Sequence, residues 1–470
     1  MRNPEVRVLT DEKNIVIIGC GASGGSASQF ARKTNRKINI IIFEKDKYPQ
    51  YSKCGLPYAI SGEIPDFPDL IEFDEEWFEK QKIDLNLNSF VETIDKEKKI
   101  VYVKKDGQEI KKDYDKIIIC TGATPFIPPI KNIKNDNKFA SGVFVLRTID
   151  DAEKIKENIS KQKNVVIVGA GFIGLEMAES LYKKNMNVTI VESMQEILPA
   201  VFDLDIGSKI REKIEDKITI LTNHLAEEII VNNQKISHIQ IKNKKTGSVG
   251  KIKADMLIIA TGCRQNIQLA KNTGCLIGDT GGIVVNERCE TSVKNIYAVG
   301  DCTEYKDYIT KKPIDVGLGS IAVRQGICAG VNAAGGEYIL EDGFLQTCTS
   351  KFFGIEVAAV GLNKSFLDDY DFETAKYKGS SLPEYFPGGK EINMKIIVNM
   401  KDKKFLSAQA FGDKAAQRIN TIATAILSDM NIDRFLKLET AYAPPVAPTL
   451  DCETLICDIV KMKIDRKNKE

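Results

Sequence analysis

One pattern of apolar and polar positions occurs twice along the chain. Residues 15–18 are a short apolar, β-branched run, followed by Gly19-x-Gly21-x-x-Gly24 and a mixed polar and apolar stretch at 26–31. A second apolar run, 38–43, ends at Glu44. Short apolar runs fit strands buried on both faces, and the order predicts strand, Gly-rich turn, helix, strand, acid. From Asn164 the order returns, with Gly169, Gly171 and Gly174, a strand at 188–191 and Glu192. Glu44 follows Gly19 by 25 residues, and Glu192 follows Gly169 by 23. Each copy has a later apolar strand ending in Thr-Gly, at Thr121-Gly122 and Thr261-Gly262.

The first glycine of such a turn allows a tight bend and the second lets a pyrophosphate approach the backbone. The third lets helix and strand pack closely. The helix N-terminus then presents free N–H groups and partial positive charge to phosphates, and the acid lies where ribose hydroxyls bind. A single Gly-rich turn is weak evidence. Two copies, each with a spaced acid and a Thr-Gly strand, predict two dinucleotide sites. A further apolar strand ends at Gly300-Asp301 and can close back onto the first domain, so one domain is inserted in the other. The expected fold is α/β, with two Rossmann-like dinucleotide-binding domains and an α+β C-terminal domain. Its boundaries are 1–149 plus 280–341, 150–279, and 342–470. An apolar-periodic helix is expected at Ala415–Leu427, and another, at 317–330, packed on the first domain.

Charge changes the picture by exclusion. Among 470 residues, 66 Lys and Arg balance 65 Asp and Glu, which argues against nucleic-acid or membrane-surface binding by bulk charge. No apolar run is long enough for a membrane span, and the charged first residues do not read as a signal peptide. Eleven scattered Cys without a C-x-x-C pair suggest reduced, cytoplasmic thiols. The two His, His224 and His238, make a His-rich metal site improbable, and no metal is expected.

These motifs resemble the flavoprotein pyridine nucleotide-disulfide oxidoreductases. That family carries a first GxGxxG for FAD, a second for a nicotinamide cofactor and a Gly-Asp that holds FAD. Its usual C-x4-C redox pair is reduced here to Cys54 in SKCGLPYAISG. The segment is similar to the single-cysteine branch, which includes coenzyme A disulfide reductases, NADH oxidases and peroxidases, and sulfur or polysulfide reductases. G-F-I-G-L-E at 171–176 is typical of the same branch.

The resemblance assigns Gly19, Gly21, Gly24, Glu44, Lys45, Thr121, Gly122, Gly300, Asp301 and Ala322 to FAD. It assigns Gly169, Gly171, Phe172, Ile173, Gly174, Glu192 and Gly262 to the nicotinamide cofactor, with Phe172 either a gate over the flavin or a helix residue packed on the sheet. Glu192 has no Lys or Arg in the eight residues after it, and a carboxylate repels a 2′-phosphate, so NADH is expected over NADPH.

Cys54 precedes a short helical stretch, where dipole and free N–H groups would lower a thiol pKa, with Lys53 adding positive charge. A lone cysteine must cycle through a mixed disulfide with a small thiol or through sulfenic acid. Peroxidases of the family place a His in the first Gly-rich turn; here that position is Ala22. The resemblance to coenzyme A disulfide reductases makes Tyr385, in EYFPGG, and Tyr442, in AYAPPVAP, candidates to assist the departing thiol from the partner subunit of a homodimer. Phe353 is expected to cross over with them. Lys53 and Val446 depart from the pattern of that branch, and Cys452 and Cys457 read as buried helix cysteines rather than a second relay. The implied activity is FAD-dependent, NADH-driven reduction of a small disulfide through Cys54. Coenzyme A would be substrate or mixed-disulfide partner. The alternatives are an NADH oxidase making peroxide or water, and an electron-transfer flavoprotein serving a protein acceptor.

Overall fold

A computed structural model of the chain describes residues 13–469 except 136–137, 160–162, 233–234 and 316. Both repeats fold as read. The first makes a five-stranded, all-parallel sheet in the order Ile296–Ala298, Lys116–Ile119, Asn14–Ile18, Asn39–Phe43, Ile83–Asn86. The second makes another, in the order Val143–Val145, Met256–Ile259, Asn164–Val168, Asn187–Val191, Thr219–Leu221. The strand before Gly300-Asp301 therefore joins the first sheet, across the whole inserted repeat.

The central strands are buried along nearly their whole length, which is why they read as continuous apolar runs. The repeat extends to their polar starts. Asn14 pairs with Asn39, and Asn164 with Asn187, each joined by an Asn–Asn side-chain hydrogen bond of 3.2 Å. The backbone N–H of Asn14 donates to Asp115 at 2.8 Å and that of Asn164 to Asp255 at 2.9 Å. Val143–Val145 lies in the second sheet, and Gln268–Thr273 packs its Ala270 into the core of the first. By this pairing the chain crosses between the sheets before residue 150 and again before residue 280.

The two Thr-Gly turns join the domains. Ala123–Pro125 pairs antiparallel with Cys263–Gln265. Thr121 Oγ1 donates to the Asn266 carbonyl at 2.7 Å, and Thr261 Oγ1 donates to the Phe126 carbonyl at 2.8 Å. This reciprocal clasp is the second use of a motif that the sequence offers only as a strand end.

The C-terminal region is an antiparallel five-stranded sheet in the order Cys348–Phe352, Ile355–Gly361, Phe405–Gly412, Glu391–Asn399, Phe372–Ser380. Helices Ala415–Leu427 and Cys452–Lys467 pack on it, the first with the bounds expected from its periodicity. The sheet is fastened to the second domain by buried Lys395, whose ammonium lies 2.5 Å from Asp203 and 2.8 Å from Asp205. Among the described residues no helix is long and apolar enough to cross a membrane.

Candidate active site

The first Gly-rich turn is closed by geometry that only glycine fits. Gly19 has φ +105°, and a Cβ there would lie 2.4 Å from the Cys120 carbonyl oxygen. A Cβ on Gly24 would lie 1.9 Å from the Gly19 carbonyl oxygen. On Gly21 it would meet nothing within 4 Å, which is the open space a pyrophosphate needs. Helix Ala22–Thr34 begins there with no side-chain cap, leaving its N–H groups for an anion. Glu44 closes the loop, with Oε2 accepting from the Cys20 N–H at 2.5 Å and Oε1 from the Asp46 N–H at 2.9 Å. Lys45 is exposed beside it.

The second turn is built the same way. Cβ atoms on Gly169 and Gly174 would fall 2.3 Å and 2.1 Å from backbone oxygens, while Gly171 faces open space. Glu192 accepts from the Ala170 N–H and the Met194 N–H, both at 2.7 Å. Phe172 starts helix Phe172–Lys183, half-buried against the core, and Ile173 beside it is exposed. Gly122 and Gly262 both have positive φ at the ends of their strands.

Gly300 and Asp301 complete the first site. The Gly300 N–H donates to the buried Gln325 side chain at 2.8 Å, fixing helix Gly319–Ala333, and Ala322 is buried on that helix. Asp301 pairs with Arg147 at 2.9 Å. Arg147 and Gln325 are absent from the residues picked out by sequence. Arg147 lies after an unremarked short strand, and its Nε is buried without a partner, a donor suited to the anionic linkage of a dinucleotide. The open glycines, the uncapped helix and this donor fit a dinucleotide at the first turn.

Cys54 sits in the turn Lys53–Gly55, leading into helix Leu56–Ser61. Its side chain is exposed, yet its thiol is pushed up, not down. Partial desolvation is the largest cause; the Glu176 and Asp301 carboxylates add to it and the Arg147 guanidinium opposes it. The helix that follows has only six residues, so its dipole is small against these charges. Lys53 does not help the thiol. Its ammonium lies 5.6 Å from the Tyr51 ring centre and faces Arg147, Glu44, Asp46 and Lys45, at the first turn.

Glu176, the last residue of the G-F-I-G-L-E segment, thus belongs to the surroundings of Cys54. Burial pushes its carboxyl up, and Ser350 Oγ, from the C-terminal sheet, donates to it at 2.6 Å. Tyr58 is pushed up to about 12 by burial and then by Glu176. Ser180, on the helix of Glu176, donates to the Pro57 carbonyl at 2.8 Å. Residues of all three domains therefore converge on the start of the Cys54 helix, a juxtaposition with no signal in local sequence.

Tyr385 and Tyr442, 57 residues apart, share a hydrogen bond of 2.9 Å between their hydroxyls. Both are exposed, and neither contributes to the charges around Cys54 within one chain. Phe353 packs on Tyr182 of its own chain, ring centres 5.6 Å apart. Cys452 and Cys457 are buried and their thiols are pushed up by burial, as structural helix cysteines are. His224 and His238 lie on strands His224–Asn232 and Lys235–Asn243 of the second domain.

The sequence profile described as pyridine nucleotide-disulphide oxidoreductase matches residues 13–326, and that of the family's dimerisation domain matches residues 347–452. The chain belongs to this family. It is an oxidoreductase, and the family implies FAD and NAD(H). The chain is 36% identical to an NADH oxidase of Methanocaldococcus jannaschii over 96% of its length and 99% of the relative's. It is 34% identical to a CoA-dependent NAD(P)H sulfur oxidoreductase of Pyrococcus furiosus, over 96% and 100% of the two chains. Among solved structures, an NAD-dependent persulfide reductase from A. fulgidus superposes with a TM-score of 0.91 at 33% identity, covering 96% of this oxidoreductase and 84% of that chain.

Proposed function

We propose that this oxidoreductase is an FAD-dependent, NADH-driven reductase of a low-molecular-weight disulfide, coenzyme A disulfide or a coenzyme A persulfide or polysulfide, working through Cys54 as a homodimer. The observation that carries the reading is the state of the cysteines. Of eleven, all unpaired, Cys54 alone is exposed; Cys263 and Cys348 are half-buried and eight are buried. An exposed thiol with no resolving partner suits a mixed disulfide with a small thiol. A reduced, cytoplasmic setting fits the unpaired cysteines.

We assign FAD to the domain of the first parallel sheet, with Gly19, Gly21, Gly24, Glu44, Lys45, Thr121, Gly122, Gly300, Asp301 and Ala322 as its residues, and add Arg147. NADH is assigned to the domain of the second parallel sheet, with Gly169, Gly171, Phe172, Ile173, Gly174, Glu192 and Gly262, and dimerisation to the C-terminal domain, 342–470. Bound FAD would supply the two-electron relay from NADH to sulfur. Cys54 thiolate attacks one sulfur of the substrate disulfide, forming a Cys54–coenzyme A disulfide and releasing coenzyme A thiolate. Two electrons then return Cys54 to thiolate and free the second coenzyme A. The Tyr385–Tyr442 pair, presented to the partner subunit's Cys54, would protonate the departing thiol. The sum is NADH, one proton and one disulfide giving NAD+ and two thiols.

Stoichiometry tests this reading. Under nitrogen, NADH oxidation is expected to need coenzyme A disulfide and to yield two thiols per NADH. Oxidation of NADH only under air, matched by peroxide, would instead favour the oxidase reading.

A further inference from the structure

Glu176 carries a half-buried carboxylate that the fold leaves without a cation. Among the described residues its side chain has one hydrogen-bond partner, the Ser350 hydroxyl at 2.6 Å, and the other charge facing it, Glu179, is also negative. Ser350 is itself buried, on strand Cys348–Phe352 of the C-terminal sheet, and it also faces Tyr58 on the helix that follows Cys54. A carboxylate drawn out of water without a counterion costs stability, and such groups collect at functional sites.

A brace between two helices fixes where this charge stands relative to Cys54. Ser180, one turn beyond Glu176, places its hydroxyl 2.8 Å from the Pro57 carbonyl and 2.8 Å from the Glu176 carbonyl. Lys183, at the end of the same helix, pairs with Glu63 just past helix Leu56–Ser61 at 2.6 Å. Three charged groups face Cys54: Glu176, Arg147 and Asp301. Arg147, the one cation, is paired with Asp301 at 2.9 Å. The opposite charges of that pair largely cancel at Cys54, and Glu176 is the charge left over.

We propose that Glu176 is a positioning residue for the chemistry at Cys54, anchored by Ser350 across the domain boundary, and that its charge keeps the free cysteine in the thiol form. The proposal rests on the reading of Cys54 as the reacting group. Thiolate, not thiol, attacks electrophiles and is oxidised by peroxide, so the acid protects an exposed cysteine between turnovers. Ser350 makes the third domain part of this control. Its hydroxyl stabilises the ionised carboxylate, so without it Glu176 takes up a proton at higher pH and its hold on Cys54 lifts there.

The test follows alkylation of Cys54 by iodoacetamide across pH in the FAD-loaded enzyme with its cysteines reduced, read by mass spectrometry of the peptide that holds Cys54. Gln keeps the size of Glu and can still accept from Ser350, so Glu176→Gln should fold as wild type does. It should react about three- to tenfold faster than wild type in the pH range above the titration of Glu176 and below that of Cys54. The two rates should converge at acid pH, where Glu176 is protonated in wild type, and again at alkaline pH, where Cys54 is thiolate in both. Glu176→Asp should stay close to wild type. Ser350→Ala should quicken alkylation only toward acid pH, and should add nothing in a Glu176→Gln background. A merely structural role would change the rate alike at every pH. Superimposed profiles for wild type and Glu176→Gln overturn the proposal, as does a Ser350→Ala effect that persists without Glu176. The readout needs no disulfide turnover, so it stands apart from the underlying reading, which disulfide reduction surviving in Cys54→Ser would overturn whatever the alkylation profiles.

Discussion

Cys54→Ser is expected to reduce anaerobic, NADH-driven disulfide reduction by a factor on the order of 10⁴, as loss of a catalytic nucleophile does. Serine is close to cysteine in size, and position 54 is exposed, so the fold should be undisturbed. Flavin content and the bleaching of flavin colour by NADH should match wild type, because both dinucleotide turns lie elsewhere. The contrast is the point. A variant that still takes electrons from NADH but cannot pass them to a disulfide isolates Cys54 as the outlet. The raised thiol adds a pH signature: alkylation of Cys54 in the flavin-free chain should quicken as pH rises toward and through the thiol pKa, because thiolate is the nucleophile. Full disulfide turnover by Cys54→Ser would remove this residue from the cycle.

The second large effect is expected at Gly24. A Cβ there meets the Gly19 carbonyl oxygen at 1.9 Å, inside the turn that would cradle the pyrophosphate. The helix must move away from the strand, and with it the free N–H groups of its first turn. Gly24→Val should therefore purify without bound flavin, with no visible absorption, and should melt several degrees lower than the flavin-free wild type, as a destabilisation of about 1–3 kcal/mol from overpacking implies. Gly21→Ala, with nothing within 4 Å of its Cβ, should keep that apoprotein stability while weakening flavin retention. Normal flavin content in Gly24→Val would contradict the assignment of FAD to the first turn.

The parts of this protein legible in sequence are those fixed by local geometry. The glycine turns, the spaced acids, the Thr-Gly strand ends and helix Ala415–Leu427 each depend on a few neighbouring residues, and each stands where it was expected. Lys53 and Cys54 show where that reading stops. Adjacency suggested that Lys53 would lower the thiol, but its side chain turns to the carboxylates of the first dinucleotide turn. The charges that do act on Cys54 come from Glu176, Arg147 and Asp301, more than 90 residues away in each case. Ser350 reaches Glu176 from the third domain. Charge acts through space, so pKa values follow from tertiary contacts that no motif spacing encodes. The pairing of Tyr385 with Tyr442 falls between these cases: both were picked out by resemblance, but only the folded sheet brings their hydroxyls together.

The most direct test of the central claim is to identify what Cys54 carries. Protein purified under air is denatured, treated with a reductant, and the released small thiols are identified by mass spectrometry. The expected result is about one equivalent of coenzyme A per subunit from wild type and none from Cys54→Ser, as a mixed disulfide at a lone redox cysteine requires. Release of no thiol from wild type, with Cys54 recovered as sulfenic acid, would contradict the coenzyme A cycle and direct the chemistry of this site to oxygen or peroxide.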